Sequence, residues 1–285
     1  MSSPPNLLSG LVAAKAAGRK RLAVLVDPDK LRTHRLDEVV ERSVAAGVDY
    51  FFIGGSLIVN NQLDKVLTGV KERCGIPLVL FPGSSFQLSY RADGLLFLSL
   101  ISGRNPELLI GNHVIAAPYL RVSPLEIMSC GYMLVDGGKA TTVSYMSNTR
   151  PIPADKADVA MCTAVAGEML GLKLMYLDAG SGARHPVPEE LIAAVSSATE
   201  VPLIVGGGIR DPERARLDAE AGADVIVVGN AIERDPTLIG ELAAAVHGAS
   251  APRPEARGAD GRGADGRGAE ARGPDAAVAD PSLAS

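Results

Sequence analysis

The chain has 285 residues, is 47% hydrophobic and 21% charged, and carries a formal net charge of −5. That is enough apolar material for a sizeable core. The mild acidity and the lack of a basic stripe exclude a protein built to neutralise nucleic-acid phosphates in series. Cys74, Cys130 and Cys162 lack metal-ligand spacing, and their odd number without a secretory signal points to a reducing, cytoplasmic setting. Lys15, Arg19, Lys20 and Arg21 are not followed by the long apolar core of a signal peptide, and no run of about 18 apolar residues is present to span a bilayer.

In chain order, short continuously apolar runs alternate with helical stretches. Strands are predicted at Leu22–Val26, Tyr50–Ile53, Leu78–Phe81, Leu95–Leu98, Gly131–Val135, Lys173–Leu177, Leu203–Val205 and Val225–Val228. Runs without polar alternation suit strands buried on both faces. Helices predicted at Leu36–Ala46, Ala154–Leu170 and Pro212–Ala221 stop at Gly47, Gly171 and Gly222, where glycine supplies a left-handed cap. Eight such units define an α/β fold, a single (β/α)8 TIM barrel over residues 1–248, with a doubly wound open sheet as the alternative. Residues 249–285 are expected to form a disordered tail. Ala, Gly, Arg, Asp and Pro dominate it, GADGR occurs twice, and it offers little apolar surface to offset ordering entropy.

The chemistry concentrates where strands end. Strand seven runs into Gly206-Gly207-Gly208 and strand eight into Gly229-Asn230. In barrels these two loops commonly hold phosphate, because glycine lets backbone N–H groups approach oxygen and a short helix N-terminus adds positive potential. Strand six ends in Tyr176-Leu177-Asp178-Ala179-Gly180-Ser181-Gly182. Alternation puts Tyr176 and Asp178 on one side, facing the mouth. Asp178 there reads either as an acceptor of a substrate hydroxyl proton or as the cap of the following turn. Strand one ends in Asp27-Pro28-Asp29-Lys30, and strand two in Gly54-Gly55-Ser56. These are ligands for Mg²⁺, or a capped proline turn and a tight glycine turn. The polar stretch Ser144–Pro153 is a lid or binding loop, or a structural Ω-like loop. His34, His113, His185 and His247 do not form a metal-ligand pattern, and nucleophile-elbow, Walker and dinucleotide motifs are absent.

Several ordered segments together resemble the geranylgeranylglyceryl phosphate synthase family: LVDPDK from Leu25, FIGGS from Phe52, FLSLISGRNPELLIG from Phe97, YMSNTRPIPADKAD from Tyr145, YLDAGSGA from Tyr176, VGGGIR from Val205 and VGNAIE from Val228. The resemblance covers Leu7 to His247, and SLISGRNP and SNTRPIP are similar to the branch with larger assemblies. It implies attack of the 3-hydroxyl of sn-glycerol 1-phosphate on C1 of a long prenyl diphosphate, typically geranylgeranyl diphosphate. Catalysis would involve Asp178 and Tyr176, and Mg²⁺ would rest on Asp27 and Ser56. The glycerol phosphate would lie on Tyr176, Leu177, Asp178, Ala179, Gly180, Ser181, Gly182, Gly207, Gly208, Gly229 and Asn230. A homo-oligomer is implied as well. One departure stands out: the family usually has Glu where this chain has Asp178. Two other classes share the phosphate loops. One is an isomerase or lyase on the same barrel; the other is a non-catalytic phosphate-ligand sensor.

Overall fold

A computed structural model describes residues 6–250 except 31, 32 and 61. The predicted tail, from 251 on, lies outside the described residues. Eight strands form a closed, all-parallel barrel in chain order: β1 (Arg21–Val26), β2 (Tyr50–Gly55), β3 (Leu78–Pro82), β4 (Gly94–Leu100), β5 (Glu126–Leu134), β6 (Leu174–Asp178), β7 (Leu203–Gly206) and β8 (Val225–Val228). Closure is completed by β8 against β1, with Arg21 opposite Val225. The open-sheet alternative is thereby excluded.

Around the barrel lie α2 (Thr33–Ala46), α3 (Leu63–Lys71), α4 (Asn112–Arg121) after a π-helical turn (Glu107–Gly111), and the short α5 (Thr142–Ser147). They are followed by α6 (Ala157–Met169), α7 (Glu189–Ala198), α8 (Pro212–Glu220), α9 (Asn230–Arg234) and α10 (Leu238–His247). The expected glycine stops hold: Gly47 and Gly171 take φ of +69° and +89° just past α2 and α6.

Strand alternation divides the core in two. On β6, Leu174 and Tyr176 point into the barrel, while Met175 and Leu177 pack outward against the helices. β5 begins at Glu126, five residues before the predicted start. Its first four residues run half-buried, exposed, buried and half-buried, so they lack the continuous buried signature of its second half.

Two departures from regular alternation shape the site. First, α1 (Leu7–Ala16) precedes β1 and closes the N-terminal end of the barrel, its Leu7 and Leu11 joining the inner core. Glu126 accepts the backbone N–H groups of Leu7 (2.5 Å) and Leu8 (2.9 Å), two of the donors that a helix start leaves unpaired. Second, β3 and β4 are joined by residues 83–93 without an intervening helix. That gap leaves the outer side of β3 and β4 uncovered by a helix of its own.

Candidate active site

Asp178 ends β6 inside the barrel mouth, with Tyr176 two residues below it. The Asp178 carboxylate is buried and accepts two hydrogen bonds, from Tyr132 Oη to Oδ2 (2.5 Å) and from Gly180 N to Oδ1 (2.7 Å). Burial raises its pKa above the usual carboxylate value, and those two donors oppose the rise. Each carboxylate oxygen retains a further lone pair for a substrate hydroxyl. Tyr176 stacks on Phe81 at 5.3 Å and meets Tyr132 edge-on at 5.4 Å. Burial also pushes both phenols well above their ordinary pKa, so both stay neutral, and Tyr132 is the one that donates to Asp178. Tyr132 is a residue that the sequence reading missed. It stands within the predicted strand five, where an aromatic side chain looks like ordinary core.

The glycine turns converge on this carboxylate. Gly207 has φ +81°, and a Cβ there would stand 2.5 Å from Asp178 Oδ1 and 2.6 Å from Gly180 N. Only glycine lets the β7 turn lie against the β6 turn so closely. Gly180, Gly182 and Gly208 also take positive φ. Gly229 packs against Leu25 at the end of β1, and Asn230 Oδ1 accepts a hydrogen bond from Ser181 Oγ at 3.2 Å. The loops after β6, β7 and β8 therefore form one continuous rim. Leu177 does not share that surface, because its side chain packs in the outer core and leaves only backbone to a ligand. Ala179 is likewise buried in the outer core.

Across the mouth, Asp27 follows β1 directly. Its Oδ2 pairs with Lys30 Nζ at 2.9 Å, and its Oδ1 accepts the Asp29 N–H at 3.0 Å. Gly55, just before Ser56, lies beside it: a Cβ on Gly55 would be 3.4 Å from Asp27 Oδ2. β1 and β2 thus bring Asp27 and the Ser56 segment together. Asp29 has a different role. Its carboxylate accepts the backbone N–H groups of Val59 (2.5 Å) and Asn60 (3.1 Å), pinning the β2 loop to the β1 loop. Among the described residues no three His, Cys, Asp or Glu side chains converge on one point. An ion between Asp27 and Ser56 would rest on hard oxygens from one carboxylate, one hydroxyl, water and substrate. Mg²⁺ accepts that sparse protein coordination, and the residues fit it.

A cavity of about 790 Å³ opens beside this rim. Ser56 and Tyr132 line it near the mouth. From there it runs past Phe81, Leu95 and Phe97 to Ala116 and Leu120 of α4, using the space left by the missing helix between β3 and β4. Its walls are mainly apolar, as a hydrocarbon chain requires. The predicted loop Ser144–Pro153 is part helix: Thr141 caps α5 through a reciprocal pair with Ser144, and Ile152 bridges to Val135. Val143, Met146 and Ser147 line the cavity, so this segment is a wall of the site. His185 packs over Gly138 in a neighbouring loop.

A buried carboxylate, glycine turns after β6, β7 and β8, and an apolar cavity meet at the C-terminal rim, the place and layout of an active site in a (β/α)8-barrel enzyme. The family model described as the PcrB family matches residues 16–246. Geranylgeranylglyceryl phosphate synthase of Chitinophaga pinensis is 56% identical over 245 residues, covering 86% of this chain and 97% of its own. The Spirosoma linguale protein of the same name is 53% identical over 232 residues, covering 81% and 93%. Among solved structures, (S)-3-O-geranylgeranylglyceryl phosphate synthase of Thermoplasma acidophilum, in complex with its substrate sn-glycerol-1-phosphate, superposes with a TM-score of 0.80. It is 29% identical over 87% of this chain and 100% of that one. The chain belongs to the PcrB family and is an enzyme of the prenyltransferase class. No described helix is long and apolar enough to cross a membrane.

Proposed function

We propose that this enzyme joins geranylgeranyl diphosphate to the 3-hydroxyl of sn-glycerol 1-phosphate, with Mg²⁺, to give the prenylglyceryl phosphate ether of ether-lipid synthesis. One observation carries the reading: the apolar cavity and the Asp178 carboxylate share a wall, because Tyr132 both lines the cavity and donates to Asp178. A hydrocarbon donor and a polar acceptor are thereby brought to one point, the proximity that a bimolecular transfer needs. The substrate-bound relative from Thermoplasma acidophilum supports the choice of acceptor.

In this reading the phosphate rests on the turns at Gly182, Gly207-Gly208 and Gly229-Asn230. The glycerol lies along Tyr176 to Ala179 with its 3-hydroxyl at Asp178. That oxygen attacks C1 of the diphosphate, the C1–O bond breaks, and the hydroxyl proton passes to Asp178. Burial, by raising the affinity of Asp178 for a proton, favours that transfer. Asp27 and Ser56 would hold Mg²⁺, which supplies neutralisation of charge on the leaving diphosphate. The reading also places the enzyme in the cytoplasm, in keeping with its three unpaired cysteines, and as a homo-oligomer, which sedimentation would measure.

The test is turnover by purified protein with Mg²⁺, sn-glycerol 1-phosphate and C15, C20 and C35 donors, with the 3-phosphate enantiomer as control. The C20 donor and the 1-phosphate should give the fastest rate, and chelation should stop it. A clear C35 preference would remove the geranylgeranyl assignment, and undiminished turnover in chelator would remove Mg²⁺.

A further inference from the structure

The turn after β5 carries a cation that neither the motifs nor the mechanism uses. Lys139 is exposed and has no ion-pair partner among the described residues. Its Nζ lies 3.8 Å from the point where a Cβ on Gly182 would stand, and Nδ2 of Asn230 lies 3.8 Å from that same point. Two nitrogen donors from different loops therefore flank the bare face of Gly182.

The turn presenting Lys139 is fixed. Asp136 Oδ1 accepts the Gly138 N–H at 2.9 Å, and Gly138 takes φ +80°. The Gly137 carbonyl accepts the N–H groups of Arg184 (2.8 Å) and His185 (3.0 Å). Gly137 sits so close to the β6 loop that a Cβ would be 2.5 Å from Ala183 Cβ. The β5 and β6 loops are thus joined by hydrogen bonds and close packing, which sets the backbone of Lys139 beside Gly182. The nearby Arg210 donates Nη2 to the Ala183 carbonyl at 2.7 Å, which turns that guanidinium to the backbone.

A phosphate monoester brings nearly two negative charges, whereas backbone N–H groups and an amide offer only partial positive ones. A lysine ammonium acts as a point charge for such a group. We infer that Lys139 is a phosphate-binding residue, closing over the acceptor's phosphate from the β5 side while Asn230 and the Gly182 turn hold it from below. This rests on the glycerol-phosphate reading above.

The test is calorimetric binding of sn-glycerol 1-phosphate, and separately of inorganic phosphate, to the full chain and to Lys139→Met, Lys139→Gln and Lys139→Arg. Both neutral variants should bind sn-glycerol 1-phosphate at least fivefold more weakly, and Lys139→Arg should recover part of the loss. Inorganic phosphate should follow the same order. KM for the prenyl diphosphate and the ligand-free Tm should not change, which a merely structural role would not predict. A loss below fivefold in both neutral variants overturns the assignment, as does an equal loss in Lys139→Arg. If the unaltered protein binds neither ligand, the acceptor reading itself fails; if it binds and the variants bind equally, only the role of Lys139 fails.

Discussion

The two ends of the barrel use charge in opposite ways. At the N-terminal floor, acidic side chains are matched by cations and backbone donors. Asp224 pairs with Lys15 (3.0 Å) and Lys20 (3.7 Å) and accepts the Leu203 N–H. Asp49 holds Arg21 (2.5 Å), His247 (2.8 Å) and the Leu22 N–H. At the C-terminal mouth, the β1-loop carboxylates are matched, Asp27 by Lys30 and Asp29 by backbone N–H groups, but Asp178 is buried with only a phenol and one backbone N–H for company, and Lys139 has no partner among the described residues. Pairing at the floor holds strands together. Incomplete pairing at the mouth leaves charge available to a substrate and costs stability there.

The largest way to break this contrast is at the floor. Asp224→Ala strands the buried Lys20 and should lower unfolding free energy by about 3–5 kcal/mol, read from urea unfolding, while kcat at low temperature stays near normal. A loss below about 1 kcal/mol would show the floor pairs to be dispensable.

Next comes Asp178→Asn. Turnover at saturating substrates should fall at least ~100-fold, equivalent to about 2.7 kcal/mol of barrel-mouth catalysis. Because burial raises the Asp178 pKa, ionisation of this group weakens the fold as pH rises through its folded value. The neutral amide should therefore raise Tm at pH 7. Asp178→Glu, which reaches one methylene further, should keep or increase turnover. Full turnover in Asp178→Asn would end the proton-acceptor role.

Gly207→Ala should cost about 1–2 kcal/mol from its left-handed backbone alone. It should also raise KM for the glycerol phosphate, since the new methyl collides with Asp178 Oδ1. An unchanged KM would detach the β7 turn from the acceptor site.

The smallest effect is a pH signature at the floor. Burial raises the Asp49 pKa, but bonds from His247, Leu22 and Arg21 outweigh it and leave a net lowering. Its contribution is thus present above the unfolded carboxylate value of about 3.9 and fades as pH drops through the lower folded value. The stability gap between the natural chain and Asp49→Asn should shrink below about pH 4. A gap that stays constant down to pH 2 would contradict this.

Much of the fold could be read in the sequence because parallel strands are buried on both faces. Val225–Val228 came out with its observed ends, whereas β5 was read short because Glu126–Ser129 is only half covered. The glycine turns were legible because few other residues adopt their backbone. Tyr132 was not, because a phenol inside an apolar run looks the same whether it packs or donates. Asp29 and Asp27 sit in one motif, and only the fold shows that Asp29 serves the neighbouring loop's backbone. Lys139 resembles any solvated lysine until β5 and β6 are placed side by side. The short α5 escaped notice because six residues give little helical periodicity.

The helix that corks the barrel floor also fixes the direction of traffic. With Leu7 and Leu11 wedged beneath the inner core, the floor below the buried Asp178 carboxylate is filled by side chains. On the proposed mechanism, a proton taken from the acceptor alcohol would then leave on the side of the mouth and not through the floor. Entry of the acceptor and reset of the carboxylate would share that end of the barrel, so clearing of the headgroup would precede the next turnover.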